Sequence, residues 1–445
     1  MRCAILDNCK GTYTIHNLTE AKMEQTKDVY KKSRVLYIIS AALEYFISIL
    51  TGTAYLAKIA GAIGISDGTV GVLSSFVALG CAFQIISLAM RTDKPVKRMV
   101  TLINLANQLC FTLLYVIPVV DLPKNVKTLV FVLLLLSGNV LLNIPFSPKV
   151  IWSRTLIADE KRGIFSASCE ITSLISGMIF TTVAGRVIDT FEANGNQTGA
   201  FTVCAITLFV LTISHALCLM FIKESKREAA TDNTSLKKRL ALAITDRSTI
   251  TLIPVFLLWY MALYVTIPFF GTYQLNELSL SMTAISLISV AYAIVRALVS
   301  VPLGIIGDKR SFITSMSISL AAMCIGLIIN SLGGVVCHII FYVLYAITLA
   351  GTNSGIMNLI FDYVPKEKRT GAVAILYTIG GLVGFLSTLA VKPLVDMVQS
   401  NNNSFLFIED IYAQQILSVL GALLTIATFI YINTAVKKLT RAKYL

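Results

Sequence analysis

The sequence predicts an all-α integral membrane fold, with twelve transmembrane helices in two pseudo-symmetric six-helix bundles. Three observations lead there. Residues of the set AVILMFWYC make up 56% of the 445 positions and charged residues only 14%, against roughly 25% charged in a soluble globular chain. Apolar runs of the ~20 residues needed to cross a hydrocarbon core recur along the whole chain. The basic residues behind the net charge of +13 collect in short segments between those runs, which points to a membrane protein rather than a nucleic-acid binder. An ordinary soluble enzyme, a disordered scaffold and a secreted disulfide module are excluded.

A polar, mixed-charge segment, 1–33, opens the chain. It lacks the basic start, short apolar core and small-residue cleavage site of a signal peptide and is expected to be a cytoplasmic tail. Six spans follow, near 35–58, 68–90, 98–120, 128–155, 163–188 and 199–222. After a polar linker, 223–248, six more lie near 249–272, 281–305, 311–332, 335–362, 370–392 and 410–433, with 434–445 as a second tail. Pro118, Pro145, Pro148, Pro254, Pro268 and Pro302 fall inside spans, where membrane helices tolerate them. Ser66-Asp67 after Gly61 and Gly64 offers a cap for the second span. Thirty of the 37 Lys and Arg fall on the side of the termini and linker, and five (Lys58, Lys124, Lys127, Arg186, Lys392) on the other. The positive-inside rule then places both termini in the cytoplasm.

Nine cysteines are present, most of them in apolar runs, with no CxxC spacing and only three histidines. They read as small buried apolar residues, and neither a metal site nor another cofactor is expected. The two halves, 34–222 and 249–433, also repeat in sequence. A shift of 207 lays Glu160-Lys161-Arg162 on Glu367-Lys368-Arg369, and it also matches Ala167 to Ala374, Gly177 to Gly384, Thr181 to Thr388 and Asp189 to Asp396. One offset that spans a loop and the next helix predicts a duplicated six-helix unit. Parallel repeats of this kind form one known transporter plan, with the solute site at their interface near mid-membrane.

After the eighth span stands Gly304-Ile305-Ile306-Gly307-Asp308-Lys309-Arg310; its first-half counterpart is Ala89 followed by Asp93-Lys94 and Lys97-Arg98. These segments resemble the G-x-x-x-D-R/K turn of the major facilitator superfamily of secondary transporters, and the resemblance covers the chain after its tail. It implies a cytoplasmic latch between conformations, built from Asp93, Lys94, Arg162, Gly304, Asp308, Lys309 and Arg369. The small residue would allow close approach, and an Asp near a helix N-terminus would meet a favourable dipole. A plain positive-inside loop is the alternative. The Gly-Pro motif in the fifth helix and the Arg in the fourth that mark the family's drug–proton antiporters are missing: here stand Ser176-Gly177-Met178 and Ser137-Gly138-Asn139.

A charge deep in lipid costs at least ~2.5–3.5 kcal/mol, so Glu44, Lys149, Glu170 and Arg296 are the leading functional candidates. Tyr37, Ser40, Glu44, Ser48, Thr51, Tyr55 and Lys58 recur at spacings of three and four. On one continuous helix they would share an arc of about 80°. Glu44 lies ~14 Å from the inner end at 1.5 Å rise per residue, placed to carry a proton or to hold a permanent hydrogen bond. Ser166, Glu170, Ser173, Gly177, Thr181 and Ala184 form a smaller stripe. Family topology brings the fifth and eighth helices together, so Glu170 has two candidate partners, Arg296 across the interface or Lys149 within its own half. Asn139 and Asn143, Trp259, Tyr260 and Tyr264, Tyr292 beside Arg296, and Asn353 and Asn358 are further cavity candidates. His215 and His338 read as structural.

The expected function is secondary active transport of a small polar organic solute by alternating access, in a monomer in the cell membrane. Proton coupling through Glu44 or Glu170 is one option and facilitated diffusion another. A drug or metabolite efflux antiporter of the same fold is an alternative. No GxxxxGKS or GxxxxGKT phosphate loop offers ATP drive. A membrane-embedded lipid-linked transferase is the rival from another class, but the acids on the outer stretches 189–198 and 393–409 are few, and no enzymatic activity is expected.

Overall fold

The computed structural model describes residues 30–89, 95–157, 162–224, 236–405 and 408–439. Most of the expected tail 1–33 and residues 225–235 of the linker lie outside the described residues. Among these, eleven helices are long and apolar enough to cross a membrane. The twelfth, Lys97–Leu114, has 18 residues and is less apolar because it carries Asn104, Asn107 and Gln108. All three are buried, as polar groups in lipid must be. Asn104 donates to Val100 O, Asn107 to Gly138 O at 2.6 Å, and Gln108 bonds His215.

Several spans are broken, where the sequence pattern reads as continuous. The first consists of Lys31–Leu50 and Thr53–Ile63, because Gly52 is extended (φ −68°, ψ 167°) and starts a new helix. The carbonyl of Leu50, freed by the break, accepts from the Tyr115 hydroxyl at 2.5 Å. The seventh span breaks at the corresponding place: Arg247–Tyr264 gives way to a short 3-10 turn, Ile267–Phe269, and further short helical turns to Glu277. The fourth stops at Asn143 and restarts at Phe146 after Pro145. Broken membrane helices are stable only where protein or a cavity satisfies the exposed backbone.

The duplication is visible in the packing. Spans 1–5, 1–6, 2–4, 3–4 and 3–6 meet in the first half; their counterparts 7–11, 7–12, 8–10, 9–10 and 9–12 meet in the second. The repeated glycines have equivalent tasks. A Cβ on Gly177 would lie 2.3 Å from the Tyr45 ring of span 1, and one on Gly384 2.8 Å from the Tyr264 ring of span 7. The second half encloses its own apolar core, while that of the first half takes in Met282 and Ile285 of span 8. Ile171, Ile175, Ile179 and Val183 on span 5, and Leu298, Val301 and Ile305 on span 8, turn outward as a lipid-facing surface would.

Between halves, span 5 packs on span 8 and span 11 on span 2. The breaks of spans 1 and 7 cross at Gly271, where a Cβ would stand 2.3 Å from Thr53 O; a second close crossing is at Gly381, 2.4 Å from Ala78 O. With twelve crossings both termini share one face, called here the terminal face; the opposite is the far face.

Candidate functional site

Glu44, in the middle of span 1, forms an ion pair with Lys149 of span 4. The helix restart at Pro145 brings the lysine there: Lys149 N–H bonds Pro145 O at 2.9 Å and opens a new helical phase. Lys149 is therefore not the partner of Glu170 that the sequence offered. The side chains keep 15% and 31% exposure, so the pair is largely, though not wholly, withdrawn from solvent. His215 of span 6 is 1% exposed and bonds Gln108 through Nδ1 at 2.8 Å, while its Nε2 has no partner. Span 6, which carries it, packs on span 1, the helix of Glu44.

On the other side of the interface, Arg296 Nη1 donates to Tyr292 Oη at 3.2 Å one helical turn away, and its Nε is buried without a partner. The Tyr292 ring lies 5.8 Å from Tyr345 and 6.5 Å from Tyr342. Tyr264 stacks on Tyr260 at 5.9 Å and is an electrostatic neighbour of Tyr345. Tyr342 and Tyr345 were not singled out in the sequence; their three-residue spacing on span 10 is the signal that marks a common face. Glu170 is exposed and forms no ion pair with a described residue. Along spans 5 and 8 Gly185 packs on Met282 and Thr181 bonds Ser286, an antiparallel register that sets Glu170 at the depth of Arg296 in the other half.

Ser48 is exposed, its hydroxyl turned back to Tyr45 O at 2.7 Å. Asn143 is buried and bonded: it accepts from Gln84 of span 2 at 2.9 Å and donates to Asn139 O. Trp259 is 3% exposed and belongs to the core of the second half, as does the inner part of Tyr260. Asn353 is exposed and Asn358 partly so. His338 sits in a buried chain, bonded to Gln274 at 3.1 Å and to Asn330 at 2.8 Å, in agreement with a structural reading. Among the described residues no cluster of three His, Cys, Asp or Glu side chains fits a metal ion.

Asp93 and Lys94 of the expected latch lie outside the described residues, and of Arg162 only its place at the start of the fifth helix is described. In the second copy, Asp308 belongs to the last turn of its helix, and the N-cap of the next is Ser311, which accepts from Ile313 N–H at 3.0 Å. The favourable dipole expected for the aspartate is thus not available from that helix. The close approach is made by Gly307 rather than Gly304: a Cβ on Gly307 would meet the Phe312 ring at 2.6 Å, and nothing lies near one on Gly304. Gly307→Val should accordingly cost about 1–3 kcal/mol by overpacking, and Gly304→Ala should stay within ~0.5 kcal/mol, as read by thermal unfolding of the purified protein. Arg369 bonds Val364 O and Phe361 O, closing the loop between spans 10 and 11. Asp308, Lys309 and Arg310 are exposed.

The Major Facilitator Superfamily model matches residues 37–388. The chain belongs to this family. No curated protein matches it by sequence. Among solved structures, a point mutant of the nucleoside transporter NupG is similar with TM-score 0.70 and 14% identity, covering 91% of this chain and 99% of that one. A bacterial homologue of the human lysosomal transporter Spinster, inward-facing, gives 0.62 and 13% over 92% and 95%. A D-xylose–proton symporter gives 0.59 and 13% over 88% and 96%. At such identities the likeness concerns the fold. As a superfamily member the protein is a multi-pass secondary transporter of a small-molecule solute.

In this transporter the far face is closed by bonds between halves. Asp67 of span 2 accepts from Asn276 at 2.9 Å and from Gln399 at 3.0 Å. Asp189 of span 5 accepts from the N–H groups of Met282 and Thr283, at 2.9 and 2.8 Å, at the start of span 8. Toward the terminal face the Thr378 hydroxyl donates to Ala82 O of the other half over a longer 3.3 Å.

Proposed function

We propose that the protein carries a small polar organic solute through the interface of its two halves by alternating access, with the terminal face in the cytoplasm of a cell membrane, as a monomer. The observation that carries this reading is a set of intramembrane charges, the Glu44–Lys149 pair within the first half and Glu170 and Arg296 on spans 5 and 8, which pack across the interface, beneath a far face bridged by Asp67 and Asp189. Buried charges in a membrane protein are retained where solute or ions pass. The cytoplasmic side follows from the excess of Lys and Arg on the terminal face. Glu44 is the proton carrier in this scheme. A proton on the carboxylate removes the attraction that holds Lys149, so protonation and release of the pair are one event.

A panel of labelled solutes in proteoliposomes, with and without an imposed pH gradient, tests the proposal. Accumulation should follow the gradient in the wild type, and Glu44→Gln should abolish accumulation while sparing downhill exchange. Uptake unaffected by collapse of the gradient would remove the proton. The closed Glu44–Lys149 pair favours facilitated diffusion as the second reading, because a permanently paired carboxylate takes up no proton.

A further inference from the structure

We propose, building on the carrier reading, that the solute is a zwitterion of amino-acid type bearing a planar ring: its ammonium group faces Glu170, its carboxylate faces Arg296, and its ring rests among Tyr264, Tyr292, Tyr342 and Tyr345. The charges of the site divide into two kinds. Glu44 and Lys149 satisfy one another. Glu170 and Arg296 belong to opposite halves and have no ion partner among the described residues, and Arg296 keeps a buried Nε unbonded. A guanidinium presents a planar fork that fits a carboxylate through two parallel bonds, and with Nη1 on Tyr292 one edge of it remains open. The open set sums to zero. A simple anion would satisfy Arg296 and leave Glu170 facing like charge; a simple amine would do the reverse. A neutral solute would leave both charges without a partner. A zwitterion compensates each and adds no net charge to the membrane interior.

The ring follows from the walls. The four tyrosines come from spans 7, 8 and 10 and are all only partly buried, with Tyr292 tilted 31° to Tyr345 and at 79° to Tyr342. Such mixed tilted and edge contacts leave faces and edges for another planar group. The same geometry links recognition to movement. Glu170 and Arg296 lie on spans 5 and 8, which pack together across the interface, so a solute bonded to both joins the halves.

Counterflow of labelled L-phenylalanine in proteoliposomes holding the full chain tests the proposal, with 3-phenylpropionate, 2-phenylethylamine and uridine as competing probes. The wild type should exchange phenylalanine and prefer it over either singly charged analogue by more than tenfold. Arg296→Gln should erase the preference for phenylalanine over phenylethylamine, and Glu170→Gln that over phenylpropionate. A variant that is merely misfolded loses rate without changing preference in this selective way. Preferences that stay the same in both variants overturn the proposal. Exchange of uridine without phenylalanine overturns the zwitterion but leaves a carrier, and no exchange of any probe by folded protein removes both.

Discussion

Lys149→Ala should destabilise the protein by roughly 3 kcal/mol, the lower end of what breaking a buried ion pair costs, because Glu44 keeps 31% exposure and water compensates part of the loss. The cost comes from the partner left behind. Glu44 would remain a carboxylate largely withdrawn from solvent with its cation gone, and Glu44→Gln would strand the ammonium of Lys149 in the same way. The double variant Glu44→Gln with Lys149→Met removes both charges and should recover most of the loss, since paired removal of a buried ion pair is often close to neutral. Thermal unfolding in detergent compares the three directly. If the double variant is as unstable as the sum of the singles, the pair is not the source of the effect. The same double variant separates stability from transport: folded and stable, it should still fail to accumulate solute against a gradient.

The spans, their number and the duplication were legible because hydrophobic run length and a single sequence offset report on long-range order directly. Eleven spans satisfy the length and apolarity a membrane demands; the third does so only by hiding Asn104, Asn107 and Gln108 against neighbours. The charged residues of the site were legible for the same reason, since an ionisable group in an apolar run is conspicuous. Their partners were not. A stripe drawn at 100° per residue assumes one uninterrupted helix, and the first, fourth and seventh spans all restart. The restart at Gly52 leaves Lys58 on a separate helix from Glu44, where it pairs with Glu192. The restart after Pro145 turns Lys149 to Glu44 instead of Glu170. Tyr342 and Tyr345 escaped notice because aromatic residues in a membrane helix are usually packing, and what makes these two different is Arg296 on another span. In the turn after the eighth span the motif was visible, but the residue that needs to be small is Gly307, a property of the neighbouring Phe312 ring.

Opening of the far face should become easier by about tenfold or more when its closure is weakened at Asp189, and by about fivefold or more when it is weakened at Gly271. In the closed arrangement Asp189 spans the halves, taking two N–H groups from the first turn of span 8, where a carboxylate also meets the positive end of the helix dipole. Its repeat counterpart Asp396 approaches the start of span 2, with Oδ1 2.2 Å from where a Cβ on Gly68 would be. Asp396, however, pairs with Lys392 one turn earlier on its own helix, so the bonds to a helix start are those of Asp189. Asp189→Ala removes bonds to a charged acceptor, worth roughly 1.5–3 kcal/mol each, and when the halves part water can take the orphaned N–H groups, so the loss falls on the closed state. Gly271→Val acts by volume: with Thr53 O 2.3 Å from the Cβ position, overpacking of about 1–3 kcal/mol again burdens the closed state alone. At 1.4 kcal/mol per decade the first figure corresponds to a tenfold shift or more and the second to about fivefold or more. A cysteine at the exposed Ser48 of span 1 reports the change by its labelling rate with a membrane-impermeant maleimide applied from the far face, all nine native cysteines having first been replaced. Faster labelling in both variants, with unchanged labelling from the terminal face in the absence of solute, is the expected result. Rates equal to the parent's would mean that the seal is held elsewhere, and that Asp189 serves only to cap the start of span 8.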